Sequence, residues 1–354
     1  MKRNKLYTIA ISMACLLTLT LGLGACRSLI FEGEGDCSYH NSVRFVYDHN
    51  IKFADAFSHE VRAVSLYVFD SNGLYVDTYQ ASGTALADPN YTLCLDDLDP
   101  GTYTILSWCT WNKESDLVTT SFVINDGNLI PGESTITEVT ARLNTTTVTT
   151  TTDTCVVATD INPLFHGTTI VTICDEPGHH ITPLHLTKNT NSVRIVLQQL
   201  SGEPVDASKF QFYITSANGA MACDNTLLPC PIHRYEAWHL SQGSADVILN
   251  GENVTTTTAV AELSTARIVA TERPHLVIVN DKGETAVSIP LAEYLLMVKG
   301  YYGRQMSDQE YLDRQDEYSL TFFLDNQYQW DKMHIIINSW TLVISNDEIG
   351  DGWR

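Results

Sequence analysis

Basic residues are scarce in this chain of 354 residues. It contains 21 Lys and Arg against 42 Asp and Glu, so its formal net charge at pH 7 is −21. This excess of negative charge argues against nucleic acid as a partner, because phosphates are bound mainly by Lys and Arg. It also argues against docking to an anionic bilayer by surface charge alone. Apolar residues make up 44% of the chain, which is enough to build packed cores.

Common catalytic motifs are also missing. The sequence has no G-x-S-x-G nucleophile elbow, no H-E-x-x-H motif and no G-x-x-x-x-G-K phosphate loop. Acidic residues are numerous enough to supply a pair of glycosidase carboxylates, but no two of them stand out. We therefore expect no enzymatic activity and no cofactor.

One segment combines histidine and cysteine in a way that could suit zinc. Its five candidate ligands are His166, Cys174, His179, His180 and His185. The C-x2-C and H-x3-H spacings of a closed structural site are absent, and glycine and proline interrupt the segment. We therefore interpret it as a polar loop with incidental histidines and expect no metal.

The N-terminus has the pattern of a signal peptide. Residues 1–5 are basic, residues 6–25 are mostly apolar and uncharged, and a polar chain follows. The segment ends in the pattern of a bacterial lipobox, formed by Leu23, Gly24, Ala25 and Cys26. We predict that Cys26 is acylated and that residues 1–25 are removed as a lipoprotein signal peptide. A simple secretory cut and an uncleaved membrane anchor are the alternatives.

Residues 26–36 are expected to form a flexible acidic tether. Glu32, Glu34 and Asp36 lie among glycines there, a composition typical of flexible segments. The chain that starts at Cys26 has 18 basic and 42 acidic residues, so its attachment to a membrane would depend on the lipid. Each buried methylene of an acyl chain contributes about 0.8 kcal/mol, and two or three chains give a stable anchor.

The cysteines suit an oxidising compartment. Besides Cys15 in the signal segment and Cys26, seven remain, namely Cys37, Cys94, Cys109, Cys155, Cys174, Cys223 and Cys230. Because seven is odd, at least one thiol stays free or pairs between chains. Cys223 and Cys230 enclose a short loop and are the expected local disulfide. The pairing of the others is left open.

Alternating apolar and polar residues predict many short strands. The clearest strand segments are 43–48, 102–105, 193–198, 210–215, 319–325 and 333–345. Residues 62–80 and 275–290 each predict a hairpin, the first around Asn72-Gly73. Helical patterns are few. They cover 290–300 and 307–315, the second opening with a Ser307–Glu310 capping box, and a single helical turn is expected around residues 51–57.

This pattern predicts an all-β fold with a few short helices. Many short strands separated by turns are typical of antiparallel sandwiches or barrels, and the length is sufficient for two domains. We place the boundary near residue 160. The N-terminal β-sandwich would then cover residues 37–160, and the C-terminal β-sandwich residues 161–354.

The six tryptophans leave open a role in glycan binding, which needs exposed rings. Trp108 and Trp340 lie in strand patterns, where burial is the default. Trp111, Trp238 and Trp353 are less constrained. A surface glycan-binding lipoprotein is therefore kept as an alternative.

Five segments in order, after the lipobox cysteine, the tether and Cys37, resemble the FimB-type fimbrial anchor family of type V pili. They are SVRFVYDHNIKFADAFSHEVRAVSLYVFDSNGLYVDTY (42–79), LDPGTYTILSWCTWN (98–112), PLFHGT (163–168), QEYLDRQDEYSLTFFLD (309–325) and IIINSW (335–340). The resemblance covers nearly the whole chain after the signal segment.

The resemblance implies two transthyretin-like antiparallel β-sandwich domains and a lipid on Cys26. It further implies residence on the surface side of the outer membrane, as part of a fimbrium, with a fimbrial shaft subunit as the partner. Members of the family fix the fibre base and end polymerisation, and the subunits assemble by strand exchange. We expect Trp340, Leu342 and Ile344 to lie at the inter-subunit contact. A shaft or tip subunit of the same family is the alternative.

Overall fold

The computed structural model describes residues 39–111, 121–125, 127–144, 154–249, 252–300 and 305–343. The predicted signal peptide, the tether and Cys37 therefore lie outside the described residues. Strands β1 to β11 are Tyr39–Val46, Ala63–Phe69, Tyr75–Ser82, Leu93–Cys94, Gly101–Thr110, Phe122–Asn125, Thr140–Leu143, Thr154–Val157, Leu164–Ile173, Gly178–His185 and Thr187–Lys188. Strands β12 to β22 are Thr190–Gln199, Phe210–Ser216, Ala220–Met221, Ile232–Glu236, His239–Leu249, Glu252–Ala266, His275–Asn280, Thr285–Pro290, Glu317–Leu324, Trp330–Ile337 and Trp340–Val343.

Helices are short in the described part of the chain. The α-helices are α1 (Phe57–Glu60), α2 (Leu291–Met297) and α3 (Asp308–Arg314), and single 3-10 turns cover Thr84–Ala87, Ile136–Glu138, Ala207–Lys209 and Ala270–Glu272. Helix α3 begins where its capping residue predicts, since the Ser307 hydroxyl accepts a hydrogen bond from the Glu310 amide at 3.0 Å. The predicted fold class, all-β with a few short helices, is confirmed.

The first sandwich packs a three-stranded sheet, ordered β10-β1-β4, against a five-stranded sheet, ordered β11-β9-β5-β2-β3. Strands β1 and β10 are parallel, and the other pairs in these two sheets are antiparallel. Alternate residues of each strand turn inward, as the period of two requires. Side chains in the core between the two sheets include Val43, Phe45, Leu66, Val68, Phe165 and Leu184.

The second sandwich packs a six-stranded sheet, ordered β16-β17-β12-β20-β21-β22, against a five-stranded sheet, ordered β19-β18-β13-β15-β8. A small sheet, ordered β14-β7-β6, lies beside them. The core of this sandwich includes Val193, Ile195, Phe212, Ile278 and Leu320. Leu106 and Trp108, from the back of the first five-stranded sheet, join the same cluster. The two sandwiches are thus in apolar contact.

Both predicted hairpins form, and in each turn one side-chain oxygen accepts hydrogen bonds from two backbone amides that follow it. Between β2 and β3, the Asp70 carboxylate accepts hydrogen bonds from the amides of Asn72 and Leu74, both at 2.9 Å. Between β18 and β19, the Asn280 side-chain oxygen accepts from the amides of the residues two and four positions later, at 3.0 and 2.9 Å. A glycine with positive φ completes each turn, Gly73 at 79° and Gly283 at 82°.

Strand pairing divides the chain differently from the predicted boundary near residue 160. Strand β9, which follows that position, pairs along its whole length with β5, and β10 and β11 also join the first sandwich. Conversely, β8 precedes the position and pairs with β15 of the second sandwich. The chain therefore crosses between the sandwiches more than once, from β8 to β9 over residues 158–163 and from β11 to β12 at Asn189. Turn signals mark where strands end, but partner choice depends on contacts distant in sequence.

Candidate inter-subunit edge

The six-stranded sheet ends in a hairpin formed by β21 and β22. The turn is made by Asn338 and Ser339, and Asn338 has a φ of 54°, a conformation that asparagine tolerates. The Asn338 amide donates to the Ser319 carbonyl at 2.7 Å, and its side-chain oxygen accepts from the Ser319 amide at 2.9 Å. These two bonds fix the turn to β20, so the position of β22 is set by the rest of the sheet.

Strand β22 forms an edge of the six-stranded sheet. One side is hydrogen-bonded to β21, with Trp340 opposite Ile337 and Leu342 opposite Ile335. Its other side pairs with no strand among the described residues. Unpaired edge groups are available to a strand from another chain.

The edge is apolar on the side that faces the core. Ile335 and Ile337 are fully buried, and directly opposite residues share a face, so Trp340 and Leu342 also lie on the core side. Leu342 is partly buried against the second core. Trp340, however, is 60% exposed. The burial expected for Trp340 from its strand pattern is wrong, because an edge strand has a neighbour on one side only.

A helix covers the opposite end of the same strand pair. The Trp330 ring packs edge-on against Phe322 at 5.3 Å and against Tyr294 of α2 at 6.0 Å. Burial raises the pKa of the Tyr294 phenol, so it stays neutral there. The apolar surface left uncovered is therefore the part around Trp340.

The opposite edge of the six-stranded sheet is β16, which offers a comparison. Trp238, just before the strand, is 40% exposed, and Leu240 is 43% exposed. The Trp238 ring lies 5.7 Å from the His239 ring. Trp111, a second tryptophan considered for glycan binding, lies under the Arg62 guanidinium at 5.9 Å. The third, Trp353, lies outside the described residues. Trp108 is buried, as predicted.

The predicted disulfide is not formed in this structure, where Cys223 and Cys230 are both free thiols. Burial raises the pKa of both thiols. The Cys223 carbonyl is occupied, since it accepts a hydrogen bond from the His166 ring at 2.8 Å.

The five residues weighed as zinc ligands have other partners or lie apart. His180 contacts the Glu176 carbonyl at 3.1 Å, His185 contacts Asp48 at 3.0 Å, and His179 stacks on His40 at 5.1 Å. Within the described ranges, no three His, Cys, Asp or Glu side chains are grouped to hold a metal ion.

The remaining predicted site residues fall outside the described residues. They are Leu23, Gly24, Ala25, Cys26 and Ile344. In the described part of the chain, no helix has the length and apolar character needed to cross a membrane.

The fold and this edge define a class, a two-domain β-sandwich protein whose second sandwich ends in an edge strand that could accept another strand. A protein family described as fimbrillin-A associated anchor proteins Mfa1 and Mfa2 matches residues 34–346. The chain belongs to this family and is a fimbrium-associated protein. No curated protein matches it.

Several solved structures share the fold, among them the following three. A "putative adhesin" from Bacteroides thetaiotaomicron is 34% identical with a TM-score of 0.75, covering 88% of this chain and 100% of its own. A protein from the same species, described among "putative polysaccharide binding proteins", is 28% identical with a TM-score of 0.72 and coverages of 88% and 99%. The fimbrial anchor protein Mfa2 from Porphyromonas gingivalis is 17% identical with a TM-score of 0.60 and coverages of 87% and 100%.

Proposed function

We propose that this protein is a non-enzymatic structural lipoprotein that fixes the base of a fimbrium to the outer membrane. A lipid on Cys26 holds the chain on the surface side of the membrane, and the second sandwich holds the last shaft subunit. The family membership and the lipobox pattern support this proposal. The observation that carries it is the open edge at β22, where Trp340 is exposed on the core side of the sheet.

The chemistry of the contact is strand addition. A shaft strand beside β22 gains backbone hydrogen bonds along the free edge. Its apolar side chains cover the Trp340 ring and extend the core of the second sandwich. An anchor occupied in this way adds no further subunit at the fibre base, so it also limits polymerisation.

Replacing the lipidated residue tests the anchoring. In cells that make Cys26→Ala in place of the wild-type protein, we expect assembled fibres in the medium instead of on the cell surface. Immunoblots of the shaft protein in cell and medium fractions measure the distribution. The control is Cys94→Ala, which removes an exposed free thiol that is not part of the lipobox. Fibres that stay cell-bound in Cys26→Ala would contradict the anchoring mechanism.

A second candidate function is polysaccharide binding. It is favoured by the 28%-identical relative described with that role and by the exposed Trp238 ring. Sugar rings stack on exposed aromatic faces, so Trp238→Ala should abolish retention of the protein on a polysaccharide affinity gel. Equal passage of wild type and variant through such gels would remove this candidate.

A further inference from the structure

One of the connections between the two sandwiches is very short. Strand β11 of the first sandwich ends at Lys188 and β12 of the second begins at Thr190, so Asn189 alone links these two strands. Asn189 is fully buried, and its amide donates to the Leu164 carbonyl at 2.7 Å. Its side chain exchanges two hydrogen bonds with the amide group of Asn225, at 2.7 and 3.1 Å. The link is therefore held by side-chain contacts as well as by the chain.

Lys188 connects the sandwiches through charge. Its ammonium group lies 2.9 Å from Glu60 of α1, in the first sandwich, and 2.5 Å from Asp316, just before β20 of the second. The side chain is only 13% exposed and lies over the Phe165 ring at 5.8 Å. Burial alone would lower the pKa of Lys188, but the two carboxylates raise it, so the group stays charged.

Two further residues, Arg314 and His166, make contacts that cross between the sandwiches. Arg314 of α3 donates to the Asp48 carbonyl at 3.2 Å, and its guanidinium lies over the Phe53 ring at 4.6 Å. On the other side, the ring of His166 in β9 donates to the Cys223 carbonyl at 2.8 Å. The two hydrogen bonds are partly buried, where polar contacts are stronger than in water.

We infer that these contacts form a domain junction, made of Lys188, Asn189, Arg314, His166 and their partners, that locks the two sandwiches into one rigid unit. Lys188 is its central element, because it is the cation that neutralises two carboxylates from opposite sandwiches. Without it, Glu60 and Asp316 would repel each other across the boundary. If the protein anchors a fibre, as proposed above, the junction would carry tension between the sandwiches together with the chain segments that cross between them.

The inference can be tested by pulsed electron–electron double resonance, which measures distances between two spin labels, on the purified full chain in detergent. Spin labels are attached to non-natural ketone residues at Asp77 in the first sandwich and Lys282 in the second, both exposed. We expect one narrow distance distribution for the wild-type protein and at least a twofold broader one for Lys188→Met. The matched control is Arg194→Met, which breaks an exposed ion pair within one sheet and should leave the distribution narrow.

A label pair at Ser244 and Lys282, both in the second sandwich, separates junction opening from unfolding. A broadened distribution for this pair in Lys188→Met would overturn the inference, because Lys188 would then support folding in general. Arg314→Gln provides a second variant if Lys188→Met does not fold, and it too should broaden the distance between sandwiches. Narrow distributions between sandwiches in both variants would overturn the junction. The fate of fibres in Cys26→Ala tests anchoring separately.

Discussion

Truncation of Trp340 should detach the fibre more than it destabilises the protein. Trp340 is 60% exposed in the free subunit. The surface area of a tryptophan side chain is about 250 Å², so roughly 150 Å² is available to a partner strand and about 100 Å² is already buried. At about 25 cal/mol per Å², full coverage by the partner would contribute up to about 4 kcal/mol. Trp340→Ala would then weaken the affinity for the partner strand by up to roughly a thousandfold. The same substitution would lower the free energy of unfolding of the free protein by about 2.5 kcal/mol.

Trp238→Ala is the matched control because Trp238 lies at the opposite edge of the same sheet. This residue is 40% exposed, so its truncation removes more buried area and should cost the folded protein about 4 kcal/mol. The two variants therefore have opposite rankings. Trp340→Ala should lose more fibre attachment, whereas Trp238→Ala should lose more stability.

The assay compares shaft protein in cell and medium fractions, with urea unfolding of each purified variant alongside. We expect Trp340→Ala to release fibres at a normal cellular level of the anchor, and Trp238→Ala to retain them. Normal attachment in Trp340→Ala would refute β22 as the inter-subunit contact. The same conclusion would be refuted if the loss of fibre attachment in the two variants ranked in the same order as their loss of unfolding free energy.

Two further predictions concern a buried ion pair and a buried histidine. Asp313 and Arg267 form an ion pair with two hydrogen bonds, both at 2.7 Å, and their side chains are 8% and 14% exposed. Asp313→Ala should lower the free energy of unfolding, measured by urea denaturation, by about 3–5 kcal/mol. Glu262→Ala, which breaks an exposed pair with Arg194, should cost no more than about 1 kcal/mol, and equal losses would contradict this account. Burial lowers the pKa of His166 in the folded protein to about 4, whereas the same histidine in the unfolded chain has a pKa of 6.5. Between these two values the unfolded chain binds more protons than the folded protein. The free energy of unfolding should therefore fall by about 3 kcal/mol as the pH is lowered from 6.5 to 4. His166→Gln should lack this part of the acid sensitivity in unfolding measured at each pH, and identical pH profiles would show that His166 does not contribute.

Local patterns were sufficient for most strands. The hairpin around Asn72-Gly73 forms because an aspartate, two turn residues and a glycine with positive φ satisfy the turn by themselves. Helix α3 begins at its predicted cap for the same reason. Such elements depend on residues within about five positions of one another, so they can be recognised without knowledge of the tertiary fold.

Pairing and exposure were less predictable. Strand β9 was expected in the second sandwich but pairs with β5, about sixty positions earlier along the chain. Trp340 has the pattern of a buried residue, and only its place in the edge strand leaves it exposed. Whether a strand is central or at an edge depends on the order of the whole sheet, which a local period of two does not encode.

The domain junction had no signal in the sequence at all. Lys188 is 128 residues from Glu60 and 128 from Asp316, and none of the three stands out from the many charged residues of the chain. The all-β class, the turns and the family resemblance follow from local order along the chain. The open edge at β22 and the contact between sandwiches exist only once distant segments pack together, because burial and charge pairing depend on position in space.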